Sequence, residues 1–370
     1  MNGQWMGRYE GSNSGRIIVN IDELPSKYAG VAYLIDDASG LPSSATQFQT
    51  KNKERQFSFE ASVLPIDPRT GMANSRENVK ALYAPEVVYP ELARVEGKWN
   101  EGELHLSWKT NIGTHGSCTL PKPSAENPSE VQSKLMSWAE FKEYVGGLAE
   151  QHLLFRGQNT PWRLRTSFHR HGRADLVRFV SEDIPTLHKN LSARTRHVFD
   201  LSIPNQNGAF LNLAQHHGFP TPLLDWTHSP YVAAFFAYRG ISNHEAAQAS
   251  DFDHVRIYVL DQTSWKTDFQ QIQQLLIAEP HFSIMEFLAI DNERTIPQQA
   301  ASSVTNIDDI ENYVRGKESG NKKYLWAIDL PKKDRKHVVR ELQYMGITAG
   351  SLFPGLDGAC EDLKERRFET

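Results

Sequence analysis

Residues able to do chemistry concentrate between Gln151 and Tyr238, in two short runs. The first is Leu154-Phe155-Arg156-Gly157-Gln158, an arginine behind an apolar run with glycine directly after it. This pattern predicts a buried strand ending in a tight turn, from which a planar guanidinium can hold an anion. The second passes through Gln215-His216-His217-Gly218-Phe219-Pro220-Thr221-Pro222 to Leu223-Leu224-Asp225-Trp226-Thr227-His228-Ser229-Pro230. Thr227 or Ser229 is placed to cap the helix that Pro230 starts, so that a hydroxyl and free backbone N–H groups share one helix N-terminus. Each residue also has a structural reading. Arg156 either binds an anion or pairs with Asp225 to join two strands. Thr227 is a cap, a ligand contact or both, and His216 is a general base or a satisfied core histidine. His169 and His171 lack a spaced partner, so no metal site is expected.

The rest of the chain must position these groups. With 370 residues there is room for two domains with full cores. From Gln4 to about Cys118 the sequence reads as β-rich. Trp5 to Gly11, Arg16 to Ile21, Gly30 to Ile35, Phe57 to Ile66 and Glu103 to Lys109 alternate or are β-branched, and Asn100-Glu101-Gly102 suits a hairpin turn. The expectation is a small antiparallel barrel or sandwich over residues 1–120, serving as an accessory module. Gly113 to Lys134, rich in Pro, Ser, Asn and Gly, marks the boundary, with 121–134 as linker and 135–370 as a second, α+β domain. Ser137-Trp138-Ala139-Glu140 forms a capping box, followed by Phe141, Val145 and Leu148 at helical spacing. Leu176 to His188, Asn190 to Leu201 and Phe210 to His217 read as helices, and Val255 to Asp261 and Lys323 to Leu330 as strands.

A net charge of -5 argues against a broadly basic surface that coats nucleic acid. One stretch is basic: Arg163, Arg165, His169, Arg170, His171 and Arg173, between Trp162, Leu164 and Phe168. It is either a solvated face or a holder of nucleotide or RNA phosphates. Cys118 and Cys360 have no partner at ligand spacing and are expected as reduced thiols. The first residues do not resemble a signal peptide, and no apolar run approaches membrane-spanning length, so a cytoplasmic location and no membrane partner are expected.

Phe155-Arg156-Gly157-Gln158, Gln215 to Thr221, Leu223 to Thr227, Ser229-Pro230 and the ending Leu352-Phe353-Pro354-Gly355-Leu356-Asp357-Gly358 together resemble the FRG domain, a bacterial and phage family named for its Phe-Arg-Gly motif. The likeness runs from about Trp138 to the C-terminus and leaves out the β-rich part. Pro222 stands where the family usually has arginine, and Gln298-Gln299-Ala300-Ala301-Ser302 replaces its more frequent Gln-x-Gly-x-Phe. The FRG domain is in turn similar to ADP-ribosyltransferases, which split two small sheets around an NAD cleft. This similarity implies a catalytic set of Arg156, Thr227 and a third-motif residue, Glu293 or Gln298, beside which His216 stays a candidate general base. It also implies NAD contacts from Gly157, Gln158, Asp225, Trp226 and Ser229.

That chemistry breaks the nicotinamide–ribose bond through an oxocarbenium-like transition state. An arginine suits the pyrophosphate, a hydroxyl the ribose, and a carboxylate or amide the developing positive charge, with Trp226, Phe155 or Tyr231 stacked on nicotinamide. The resemblance implies a toxin or anti-phage effector that modifies RNA or a protein, paired in some systems with an antitoxin protein. A non-catalytic binding module and an NAD-hydrolysing enzyme are the alternatives.

Overall fold

The computed structural model describes residues 1–148 and 152–368; Gln151, where the motif-rich stretch begins, lies outside them. Eight strands come first: β1 (Gly3–Gly11), β2 (Gly15–Glu23), β3 (Tyr28–Asp36), β4 (Ser44–Gln49), β5 (Gln56–Pro65), β6 (Leu92–Trp99), β7 (Glu103–Thr110) and β8 (His115–Pro121). They pair antiparallel in chain order, and β8 returns to β1, so the expected barrel or sandwich is a closed barrel. Closure leaves no free sheet edge.

Strands β4, β6 and β8 were not legible beforehand, and the boundary assigned from Gly113 is corrected: His115–Pro121 is barrel. On β8 the inward positions are Gly116, Cys118 and Leu120. A Cβ at Gly116 would lie 2.4 Å from the Trp108 ring, so glycine there makes room for an indole and erases the apolar alternation. Strand β2 loses its alternation for the opposite reason, because both of its faces are buried. Ile17, Val19 and Ile21 point into the barrel, while Ile18 packs outward with Val31, Tyr33 and Ile35 against Val177 and Ala278 of the second domain.

Polar contacts lock that outer face. The Gln4 amide donates to Asn306 O at 2.7 Å and accepts from Asp308 N at 3.0 Å. The buried Asp22 carboxylate accepts from Ala174 N and Asp175 N and pairs with Arg173 at 2.5 Å.

The second domain is built on β9 (Ser133–Leu135), β10 (Leu153–Gln158), β11 (Leu223–Thr227), β12 (His254–Asp261), β13 (Phe282–Met285), β14 (Ala300–Thr305) and β15 (Leu325–Pro331). Their order is β13-β14-β11-β10-β12-β15-β9, antiparallel except for the β15–β9 edge. The end of the supposed linker is therefore an edge strand. In place of two separate small sheets the strands form one sheet with a weak seam: β10 and β11 share a single register pair, Phe155 with Thr227. By contrast, β10 pairs with β12 along the whole length of β10.

Helices cover both faces. The Trp138–Gly146 helix begins with the expected capping box at Ser137 and Glu140 and buries Trp138 and Phe141. The Pro230–Tyr238 helix buries Ala233, Ala234 and Ala237 completely against the sheet. The separate helix expected over Asn190 to Leu201 does not form, and only Asn190 to Ser192 are helical, as the end of the preceding run. The helical run from Leu176 ends at Ser192, where Thr195 Oγ1 donates to Leu191 O and His197 O and turns the chain aside. Among the described residues, no helix is long and apolar enough to cross a membrane.

Candidate functional site

The seam between β10 and β11 opens into a cavity of about 300 Å³. Its floor is set by Gly157. A Cβ there would fall 1.9 Å from Ala233 O and 2.6 Å from Ala237 N, so only glycine lets the Pro230–Tyr238 helix lie directly on β10. The alanines of that helix serve the same close approach from the other side.

Arg156 lines the cavity and is part-buried. Its Nη1 donates to Asp225 O at 2.7 Å, so the anticipated pairing with Asp225 is to the backbone carbonyl. Its Nε is buried with no partner. Burial draws the guanidinium down to about 10, the Asp225 charge opposing that shift, and the group stays cationic at neutral pH.

The Asp225 carboxylate accepts from Gln215 Nε2, and Gln215 Oε1 in turn accepts from Thr221 Oγ1. This chain ties Gln215, Thr221 and Asp225 into one hydrogen-bonded group. The helix end delivers Gln215, and the return through Phe219 and Pro220 delivers Thr221 two residues before β11.

Thr227 also lines the cavity, so it and Arg156 do converge on one crevice. Its hydroxyl is committed, however, donating to Gln298 O at 2.7 Å and accepting from Ser229 N at 3.0 Å. Ser229 is the helix cap, taking Val232 N at 3.2 Å, and is not on the cavity wall. Gln298 lines the cavity, with its side-chain amide donating to Leu352 O at 2.9 Å. His216 lines it too; its Nδ1 lies 2.6 Å from Asn292 Nδ2, which also donates to Asn212 Oδ1.

Several expectations are corrected. Glu293 is exposed and off the wall, which leaves Gln298 as the nearer third-motif residue. Gln158 Nε2 donates to Trp162 O and does not reach the cavity. Trp226 borders it, but its ring is buried in the core and its indole N–H donates to Ser303 Oγ. Phe155 also borders the cavity but packs in the core, and Tyr231 packs against Trp138 and Phe141.

The basic stretch is not a free cationic face. Arg163 pairs with Asp309 and Glu130, Arg165 with Asp308, and Arg173 with Asp22 and Asp183. His169 is fully buried, and burial lowers its pKa. Arg170 does come close enough to Asp225 and Arg156 to interact electrostatically with both.

Four wall residues escaped the sequence reading of the site: Phe236, Arg239, Arg294 and Phe353. The Phe353 ring meets Phe236 edge-on at 5.9 Å. Arg239 lies 4.0 Å from its centroid and Arg294 5.4 Å. Arg239 is held by both carboxylate oxygens of Glu361 in the Leu356–Phe368 helix, and Arg294 Nη1 donates to His216 O at 2.6 Å. The wall thus presents three guanidinium groups, two of them stacked on an aromatic ring, against one carboxylate, Asp225. Such a surface suits an anion carrying a flat ring. Among the described residues, no three His, Cys, Asp or Glu side chains gather as a metal site, and Cys118 and Cys360 are free.

Residues 151–246 match the family model of the FRG domain. The match takes in β10, β11 and the Pro230–Tyr238 helix, but stops before Arg294, Gln298 and Phe353. No curated protein and no solved structure matches the chain.

Proposed function

We propose that the seam cavity binds NAD and that the protein transfers its ADP-ribosyl group to a macromolecular acceptor, acting as a toxin or defence effector. The observation that carries the reading is the buried, unpartnered Nε of Arg156 on the wall of a cavity rich in guanidinium groups. A buried charged donor without an acceptor costs several kcal/mol unless an acceptor arrives, and a phosphate oxygen is the natural one. The volume is at the low end for small-molecule sites, so it takes the pyrophosphate and one nucleoside half while the remainder of NAD extends beyond it.

Arg156, Arg239 and Arg294 neutralise the phosphates, Phe353 and Phe236 offer a stacking surface, and Asp225 faces developing positive charge on the ribose. The C1′–nicotinamide bond breaks with its electron pair leaving on nicotinamide. An acceptor lone pair forms the new C1′ bond, and the acceptor's proton passes to solvent or to His216. Labelled NAD is incubated with the protein and a cell extract, then digested with nuclease or protease. Transfer to nucleic acid gives label lost to nuclease, transfer to protein gives label lost to protease, and label recovered only as free ADP-ribose means hydrolysis.

A second reading rests on a specific observation. The Thr227 hydroxyl and the Gln298 amide are both taken by backbone carbonyls. A nucleotide-sensing module without catalysis needs neither group free. Binding of ADP-ribose with no label transferred would decide for it.

A further inference from the structure

We propose that the N-terminal barrel is a receptor for an apolar small molecule with a neutral or cationic head group. An eight-stranded barrel is just wide enough to be filled by side chains or to hold one small ligand. This one does both, at opposite ends. The end where β1, β3, β5 and β7 begin is plugged by Trp5, Tyr28, Trp99 and Leu120, with Tyr28 and Trp99 edge-on at 6.2 Å. The other end encloses a cavity of about 570 Å³, nearly twice the volume of the seam site. Its inner wall is made by Ile17, Val19, Leu34, Phe48, Phe59 and Trp108, with Phe48 and Phe59 stacked at 5.0 Å.

The connections β1–β2, β3–β4, β5–β6 and β7–β8 all meet at this end. Three are short, but β5–β6 runs from Ile66 to Glu91 and lays Val87, Val88, Tyr89 and Pro90 along the cavity. That segment is pinned by Arg76, whose guanidinium donates to Val63 O and Pro90 O. The Tyr89 hydroxyl on the cavity wall is buried without a partner, an unmet hydrogen bond beside otherwise apolar space.

Charge selects the class of ligand. The polar lining at the mouth includes Asp36, Glu86, Ser12, Asn13 and His115. Among the described residues, no lysine or arginine lines the cavity. A carboxylate or sulfonate would meet two acids and no cation, whereas an amine, an alcohol or an amide finds acceptors.

The test is a fluorescence titration of the full chain with N-phenyl-1-naphthylamine, which is uncharged, and with 1-anilinonaphthalene-8-sulfonate, of similar shape but anionic. Saturable binding of one equivalent of the neutral probe is expected, at least tenfold tighter than the sulfonate, and displaced by dodecylamine before dodecanoate. Ala93→Phe fills the cavity from β6 and should weaken the neutral probe at least tenfold. Val88 is 66% exposed, so Val88→Lys leaves folding intact. It should weaken dodecylamine and narrow the gap between the two probes. Absence of saturable binding, preference for the sulfonate, or insensitivity to both substitutions in folded protein overturns the proposal.

Discussion

The two cavities arise from opposite faults in the same kind of structure. In the barrel every strand pairs with both neighbours, although β1–β8 shares only two register pairs and β4–β5 three, and space is left because the inward side chains do not fill the circumference that eight strands impose. In the second domain the pairing itself fails, with one register pair across the β10–β11 seam, and side chains from distant segments line the gap. The first fault yields a largely apolar chamber. The second exposes a carbonyl, Asp225 O, and draws in cations. A cavity's chemistry therefore follows from how the backbone left it open, and these two are suited to ligands of opposite character.

Substitutions separate the two regions. Gly157→Val should have the largest effect, because the new side chain displaces the Pro230–Tyr238 helix through its backbone. A loss above about 4 kcal/mol is expected, read as collapse of the seam domain in thermal melts and hydrogen exchange while barrel amides stay protected. Simultaneous loss of barrel protection would show that the two regions are one cooperative unit.

Arg156→Ala should weaken ADP-ribose by roughly 30- to 150-fold in calorimetry, the cost of about 2–3 kcal/mol for a lost charge-assisted contact. Its melting temperature should hold or rise, since the variant removes the buried, unpartnered Nε. A collapse in melting temperature would instead make Arg156 a strand clamp.

Asp175 tests the contact between the regions. Burial, reinforced by the charge of Asp22, raises it to about 6, against the hydrogen bond it accepts from Arg178 N as a helix cap. An acid raised above its unfolded value near 3.9 gives stability that is complete below that value and is lost as pH rises through 6. Asp175→Asn keeps the cap and should raise stability by about 2 kcal/mol at pH 7.5, with no gain at pH 4, in paired melts. Glu293→Gln should change neither ligand affinity nor stability more than twofold, because that side chain stands outside the seam.

How far the sequence revealed these features depended on whether the cause was local. Arg156-Gly157 announced a strand but not its course: the tight turn expected at Gly157 is absent, because β10 runs on through Gln158 and the glycine serves a close helix contact, whereas Ser137 to Glu140 announced a helix start within four residues. Arg156 and Thr227, both singled out in the sequence, line one cavity. Arg239 and Arg294 were not foreseen as wall residues, since what makes them matter is the Phe353 ring, far away in sequence. The basic stretch misled for a related reason: its carboxylate partners, Asp22, Asp308 and Asp309, come from the barrel and from a distant loop. The barrel's closure was hidden by glycines, such as Gly116, that accommodate rings on neighbouring strands.

The outer face of β2 has a consequence during synthesis. The barrel can close once residue 121 has left the ribosome, yet Ile18, Val31 and Tyr33 gain their full cover, begun by Val177, only when Ala278 emerges, and Gln4 waits for Asn306 and Asp308. At ordinary elongation speeds that interval is roughly 10–40 s. For that time a nascent, otherwise finished module carries a bare apolar strip, and a slower message or a scarcity of holding chaperones should increase the share of chains that aggregate.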